Sequence, residues 1–172
     1  MQTTESVGLV GLGTMGGAVA VRLLAQGVDV RLFDVDPNAV KRVRAETSRP
    51  IEVAKNLEDV ARHCSIVLCS LAHPDVLLEV VTGTNGLHQH LQPGSIVVDL
   101  STSGPDVVKR CGSVLEKSDC QMVDITIGRG PAAAAVVPLP FIARVQATAC
   151  NRMSAQLRTF LTGTDVEASG TH

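Results

Sequence analysis

The stretch Val7-Gly8-Leu9-Val10-Gly11-Leu12-Gly13-Thr14-Met15-Gly16-Gly17 decides how this chain is read. An apolar run of strand type leads straight into Gly11-x-Gly13-x-x-Gly16. A helical stretch then starts at Thr14, continues through Ala18, Val19, Ala20, Val21, Leu23 and Leu24, and stops near Gly27. Gly11 permits a tight turn, Gly13 offers bare backbone that a pyrophosphate can approach, and Gly16 lets helix and strand pack closely. The free N–H groups and positive end of the helix would face the phosphates. Spacing and setting together predict a dinucleotide site at Gly11, Leu12, Gly13, Thr14, Met15 and Gly16. A glycine-rich βα turn without a ligand is the plain alternative.

Working outward, Val28-Asp29-Val30-Arg31-Leu32-Phe33-Asp34 reads as a second strand with Asp34 at its carboxyl end. Asp34 lies 21 positions beyond Gly13, near the offset at which an acid meets the adenosine ribose. A carboxylate there accepts hydrogen bonds from the 2′-OH and repels a 2′-phosphate, which favours NAD over NADP. No Arg or Lys directly follows Asp34, so the usual clamp for a 2′-phosphate is missing. An acid here could instead cap the next helix. Asp36, just before Pro37, suits that role better.

Asn38 to Glu46 reads as a charged surface helix, Ile51-Glu52-Val53 as a short edge strand, and Asn56 as the cap of a helix to about His63. Ser65 to Leu71 is the continuous apolar run of a strand buried on both faces. The loop that follows sits where ligands bind in an open α/β sheet. Leu71 and Ala72 are therefore cofactor candidates, while His73 reads as solvated. Val76 to Val81 is helical. His88 and His90 fall in a turn with no third ligand near in sequence, so no metal site is expected.

Ser95 to Leu100 is another buried strand, ending in Ser101-Thr102-Ser103-Gly104-Pro105. Hydroxyls there can bond a cofactor ribose or a substrate, which makes Ser101 and Thr102 candidates. They can equally cap the helix that begins at Pro105 and runs to about Lys117. A strand from Cys120 to Ile127, the loop Gly128-Arg129-Gly130-Pro131 and an alanine run come next. Leu139 to Val145 reads as a strand, Asn151 to Leu161 as a helix, and Thr164 to Glu167 as a last short strand. This alternation predicts an α/β fold: a doubly wound, mainly parallel Rossmann sheet with helices on both faces.

Composition bounds the function. A chain of 172 residues, 45% hydrophobic, suits one domain with a sizeable core. Aromatics are only 2%, with no Trp or Tyr, and the net charge is −2. Base-stacking platforms and a basic surface for nucleic acid are therefore not expected. No apolar run is long enough to span a membrane, and Met1 to Ser6 lacks the basic start of a signal peptide. The five cysteines show no CxxC spacing and read as free buried thiols of a reducing compartment. A cytoplasmic location is the expectation, with an organellar one left open.

Four stretches together resemble the β-hydroxyacid dehydrogenases, the family of 3-hydroxyisobutyrate dehydrogenase and 6-phosphogluconate dehydrogenase. Gly11-Leu12-Gly13-Thr14-Met15-Gly16 looks like the family's cofactor turn. Asp99-Leu100-Ser101-Thr102-Ser103-Gly104-Pro105 looks like its D-x-S-T-x-x-P stretch. Asp124 to Ala132 falls where the family carries its substrate loop, and Phe141-Ile142-Ala143 where it has its next strand. The resemblance implies an NAD-dependent hydride transfer to or from a small anionic substrate of the 3-hydroxy acid class, or a related aldehyde. It implies a substrate site at Ser101, Gly128, Arg129 and Gly130, and a possible homodimer.

Two departures stand out. Gly128-Arg129-Gly130 replaces the family's usual Ser-Gly-Gly, so the substrate-holding hydroxyl is absent. The Gly-Arg pair is similar to sulfolactaldehyde reductases, and an Arg offers a fixed fork of donors for a carboxylate or sulfonate. A solvent-exposed loop Arg is the plain alternative. Further, the family places its catalytic lysine in a G-x-G-x-x-x-K stretch of a following helical domain, and residues 1–172 hold no such stretch. On that resemblance all 172 residues form the dinucleotide-binding domain, the helical domain is absent, no catalytic residue is assigned, and the chain is inactive alone. A non-catalytic nucleotide-binding or interaction module, and an imine or keto reductase on the same scaffold, stay open.

Overall fold

A computed structural model describes residues 6–127 and 141–144. The strands are β1 (Val7–Val10), β2 (Val30–Phe33), β3 (Glu52–Val53), β4 (Ile66–Cys69), β5 (Ile96–Asp99), β6 (Gln121–Ile127) and β7 (Phe141–Arg144). The helices are α1 (Thr14–Ala25), α2 (Pro37–Ala45), α3 (Leu57–His63), α4 (Pro74–Thr82) and α5 (Pro105–Leu115). One seven-stranded sheet runs in the order β3-β2-β1-β4-β5-β6-β7. The first six strands are parallel, and β7 joins β6 antiparallel. A doubly wound, mainly parallel sheet is thus what forms.

The apolar runs behave as a sheet covered on both faces requires. Along β4, Ile66 and Leu68 enter one core while Val67 and Cys69 enter the other. Leu9 and Val10 of β1 divide in the same way, as do Val98 and Val97 of β5. Period-two alternation sends successive side chains to opposite faces, and both faces are packed, so no polar side is left. The first core joins α1 and α2 through Val19, Leu23 and Val43; the second joins α3, α4 and α5 through Val60, Leu77 and Leu115.

Helix starts follow local chemistry. Asp36 accepts from the Asn38 amide at 2.9 Å with Pro37 in the first turn, the capping role expected of it. Asn56 caps α3 by accepting from the Asp59 amide at 2.8 Å. One start differs from expectation, and at another an open choice is resolved. α4 begins at Pro74 rather than Val76, because proline's fixed φ suits the first helical position. No hydroxyl caps α5; Gly104, at φ +81°, stands at that boundary instead. Ser101 and Ser103 are thereby left for other partners. The loop 128–130, the helix expected over 151–161 and the strand expected over 164–167 lie outside the described residues. So do residues 139, 140 and 145 of the strand expected over 139–145; β7 occupies its middle.

Candidate functional site

Strand order reverses at β1, which has β2 on one side and β4 on the other. At such a switch point neighbouring connections leave the sheet in opposite directions, and a crevice opens beyond the strand ends. Register brings those ends to one level. Val10 pairs with Phe33 and with Cys69, and Cys69 with Asp99. The glycine turn, Asp34, Leu71-Ala72 and Ser101-Thr102 all follow directly from these ends. Residues scattered over ninety positions therefore share one rim.

The turn is built tightly. Gly11 has φ +88°, and a side chain there would overlap the Ser70 carbonyl. A Cβ on Gly16 would strike the Gly11 carbonyl, so α1 starts hard against the turn. Gly13 is the contrast: a Cβ there meets nothing within 4 Å. It is exposed, it is the residue before α1, no side chain caps the helix, and no acid stands in the first turn. The helix end thus keeps free N–H groups and uncompensated positive character beside open space, which is what a phosphate requires. Thr14 is exposed and Met15 half-buried at this point. Leu12 differs in kind: its side chain is buried in the core, and it serves the rim through its backbone.

That backbone meets the second strand. The Leu12 amide donates to Asp34 Oδ2 at 2.6 Å, and the Asp36 amide donates to Asp34 Oδ1 at 2.8 Å. Two amides orient the carboxylate against the turn. A carboxylate has about four acceptor positions, so capacity remains for ribose hydroxyls. Val35 beside it is 89% exposed.

Across the crevice, the Leu71 amide donates to Ser101 Oγ at 2.8 Å, tying the loop after β4 to the loop after β5. The Ser101 amide donates to Asp99 Oδ1 at 2.8 Å. Asp99 is fully buried. Burial pushes its carboxyl above the ordinary range, Asp124 adds to the rise, and hydrogen bonding from Ser103 and Ser101 opposes it. Asp99 Oδ2 and Ser103 Oγ are both buried without a well-directed partner. Thr102 and Ala72 are exposed, and His73 is exposed at the start of α4. The structure thus brings together the turn, Asp34, Leu71, Ala72, Ser101 and Thr102. Gly128, Arg129 and Gly130 lie outside the described residues.

Asp99 was legible as part of a strand but not as a support of the rim. The available signal was the Asp-x-Ser spacing, which lets a carboxylate reach the amide two residues on. The Ser101–Leu71 bond, 30 residues apart, left no such trace. Elsewhere the described cysteines, Cys64, Cys69, Cys111 and Cys120, are free and buried. Among the described residues no group of three His, Cys, Asp or Glu side chains could hold a metal ion.

A family model described as the NAD binding domain of 6-phosphogluconate dehydrogenase matches residues 6–163. The chain belongs to this family. It is 30% identical over 142 residues to 3-hydroxyisobutyrate dehydrogenase of Rattus norvegicus, spanning 83% of this chain and 42% of that protein. It is 29% identical over 124 residues to 3-sulfolactaldehyde reductase of Escherichia coli K12, spanning 72% of this chain and 41% of that protein. The chain therefore spans about two fifths of the length of these relatives. The 3-hydroxyisobutyrate dehydrogenase of Mycobacterium tuberculosis superposes with a TM-score of 0.82 at 20% identity, over 94% of this chain and 53% of that one. These likenesses make the chain the N-terminal, NAD-binding domain type of the β-hydroxyacid dehydrogenases. Among the described residues no helix is long and apolar enough to cross a membrane.

Proposed function

We propose that this chain forms the cofactor-binding part of an oxidoreductase that moves hydride between nicotinamide and a small 3-hydroxy acid or the related aldehyde. The observation that carries the cofactor reading is the 2.6 Å bond from the Leu12 amide to Asp34, made beside the open backbone of Gly13. It joins an anion seat to a ribose acceptor in one rigid unit. The pyrophosphate rests on the free amides at Gly13, Thr14 and Met15. The adenosine ribose hydrogen-bonds Asp34. Since β2 lies on one side of β1, the second ribose and nicotinamide extend to the other, over Leu71, Ala72, Ser101 and Thr102. Bound NAD supplies the hydride acceptor, and its reduced form the donor.

The chain's own residues bind and orient. Asp34 also discriminates. Bringing a 2′-phosphate within about 4 Å of a fixed carboxylate costs about 1–4 kcal/mol at effective dielectrics between water and protein surface. NADH should therefore bind at least about fivefold tighter than NADPH, and paired titrations by nucleotide fluorescence test this. Equal or tighter NADPH binding would overturn the Asp34 argument.

For the substrate, Ser101 and the segment Gly128-Arg129-Gly130 are the residues we assign, with Arg129 as a two-pronged donor for a carboxylate or sulfonate. Support comes from the sequence, where Gly-Arg stands in place of Ser-Gly, and from the similarity to 3-sulfolactaldehyde reductase. Lys41, Lys55, Lys109 and Lys117 are all exposed and stand on α2, before α3, on α5 and just after it, none at the rim. We assign the proton-transfer group to none of them. Residues 1–172 alone should bind NADH yet turn over no hydroxy acid. Measurable turnover would place a proton-transfer group within the chain and refute that assignment.

A further inference from the structure

Asp99 presents an unusual cost. Among the described residues it is the one buried Asp, Glu, Lys or Arg. Among the described residues, Asp124 of β6 raises its carboxyl further, and Asp99 in turn raises the thiols of Cys69 on β4 and Cys111 on α5. A carboxyl in such surroundings weakens the fold relative to an apolar residue of similar size. The bonds it makes point to what it does there. Oδ1 accepts the Ser101 amide at 2.8 Å, and the Ser101 hydroxyl accepts the Leu71 amide at 2.8 Å. One buried group thereby anchors a relay that joins the loops after β4 and β5, both on the crevice rim.

We propose that Asp99 is a positioning residue for the nicotinamide end of the cofactor. Through Ser101 it sets Leu71, so the two loops present one fixed edge to the second ribose and the ring. The inference rests on the NAD reading above and adds a division of labour to it. Asp34 and the glycine turn hold the adenosine and pyrophosphate half. The Asp99–Ser101–Leu71 relay shapes the other half.

Because burial raises the Asp99 carboxyl above its ordinary range, the relay has a pH dependence. The ionised carboxylate is the stronger acceptor for the Ser101 amide. The grip weakens as pH falls through the raised value and protons occupy the group. An asparagine keeps the acceptor oxygen but cannot titrate.

The test compares NADH with adenosine diphosphate, which carries the adenosine and pyrophosphate but lacks the second ribose and nicotinamide. Asp99→Ala and Ser101→Ala should each weaken NADH about tenfold, the worth of one buried hydrogen bond, and leave adenosine diphosphate within about twofold. The ratio of NADH to adenosine diphosphate affinity should fall toward acid pH more steeply in the unsubstituted chain than in Asp99→Asn. The terminal phosphate of adenosine diphosphate titrates itself, and that contribution cancels when the two chains' profiles are subtracted. If Ser101→Ala weakens both ligands equally or neither, or if Asp99→Asn keeps the full pH dependence, the positioning role is wrong while the cofactor reading stands. If the unsubstituted chain binds adenosine diphosphate but not NADH, both fall together. Should Asp99→Ala fail to fold, Ser101→Ala and Asp99→Asn decide the matter.

Discussion

The two ends of the sheet use their polar groups in opposite ways. Toward the amino ends, charges pair with one another. Arg31 of β2 donates to Glu52 at 2.7 Å and to Asp59 at 3.3 Å, and His63 sits 3.0 Å from Asp59. A cavity of about 410 Å³ there is lined by charges of both signs, including Asp29, Arg49 and Glu52. At the carboxyl ends the pair of Arg42 with Asp36, at 3.8 Å, is long and exposed, and it leaves the crevice groups aside. Asp34, Ser101 and Asp99 each accept backbone N–H groups instead. The lesson is that a rim prepared for an anionic ligand keeps its acceptors fixed by amides and its helix end uncapped. An end meant only for stability satisfies its charges internally.

The sharpest way to break that contrast lies in the turn. Gly11→Ala forces a side chain into the Ser70 carbonyl at φ +88°. It should destabilise the fold by about 2–4 kcal/mol in urea titration and abolish nucleotide binding with it. Asp34→Ala comes next. NADH affinity should drop about tenfold or more, and the preference over NADPH should shrink, as fluorescence titration would show. Gly13→Ala separates folding from binding. With nothing within 4 Å of the added methyl, unfolding should change by less than about 0.5 kcal/mol, while NADH weakens several-fold. If the Gly13 and Gly11 variants behaved alike, the claim of an open phosphate seat would fail.

The amino end supplies the smallest effect. Asp59 is held below its ordinary carboxyl value first by the Lys55 amide, 3.0 Å away, and then by Arg31. A lowered folded-state value means the stabilisation is complete above about pH 3.8 and disappears as pH falls through the folded value. Asp59→Asn should remove about 0.5 kcal/mol at neutral pH, flatten the acid limb of stability, and leave NADH affinity unchanged. A change in affinity would show that the two ends are coupled rather than independent.

Much of the site was legible because its signals are local. The strand–turn–helix with three glycines, the acid at the end of β2, and the caps Asp36 and Asn56 each depend on residues a few positions apart. Hydroxyls at 101 and 102 were legible only as a choice between capping α5 and facing a ligand. Tertiary geometry settled the capping half: Gly104 takes the boundary, and the Ser101 hydroxyl meets Leu71 across 30 residues. Neither partner carries a local mark of the other.

By itself, the sequence determined that a β-α alternation would form a sheet buried on both faces, and that a dinucleotide turn would stand first in it. Period-two apolar runs and glycine spacing admit few other readings. Only the tertiary structure decided which amide Asp34 holds, that Gly13 opens onto space while Gly11 and Gly16 are walled in, and that buried Asp99 supports the rim. These depend on strand order and register, which bring distant strand ends to one level, and no local pattern encodes a distance between segments that meet only on folding.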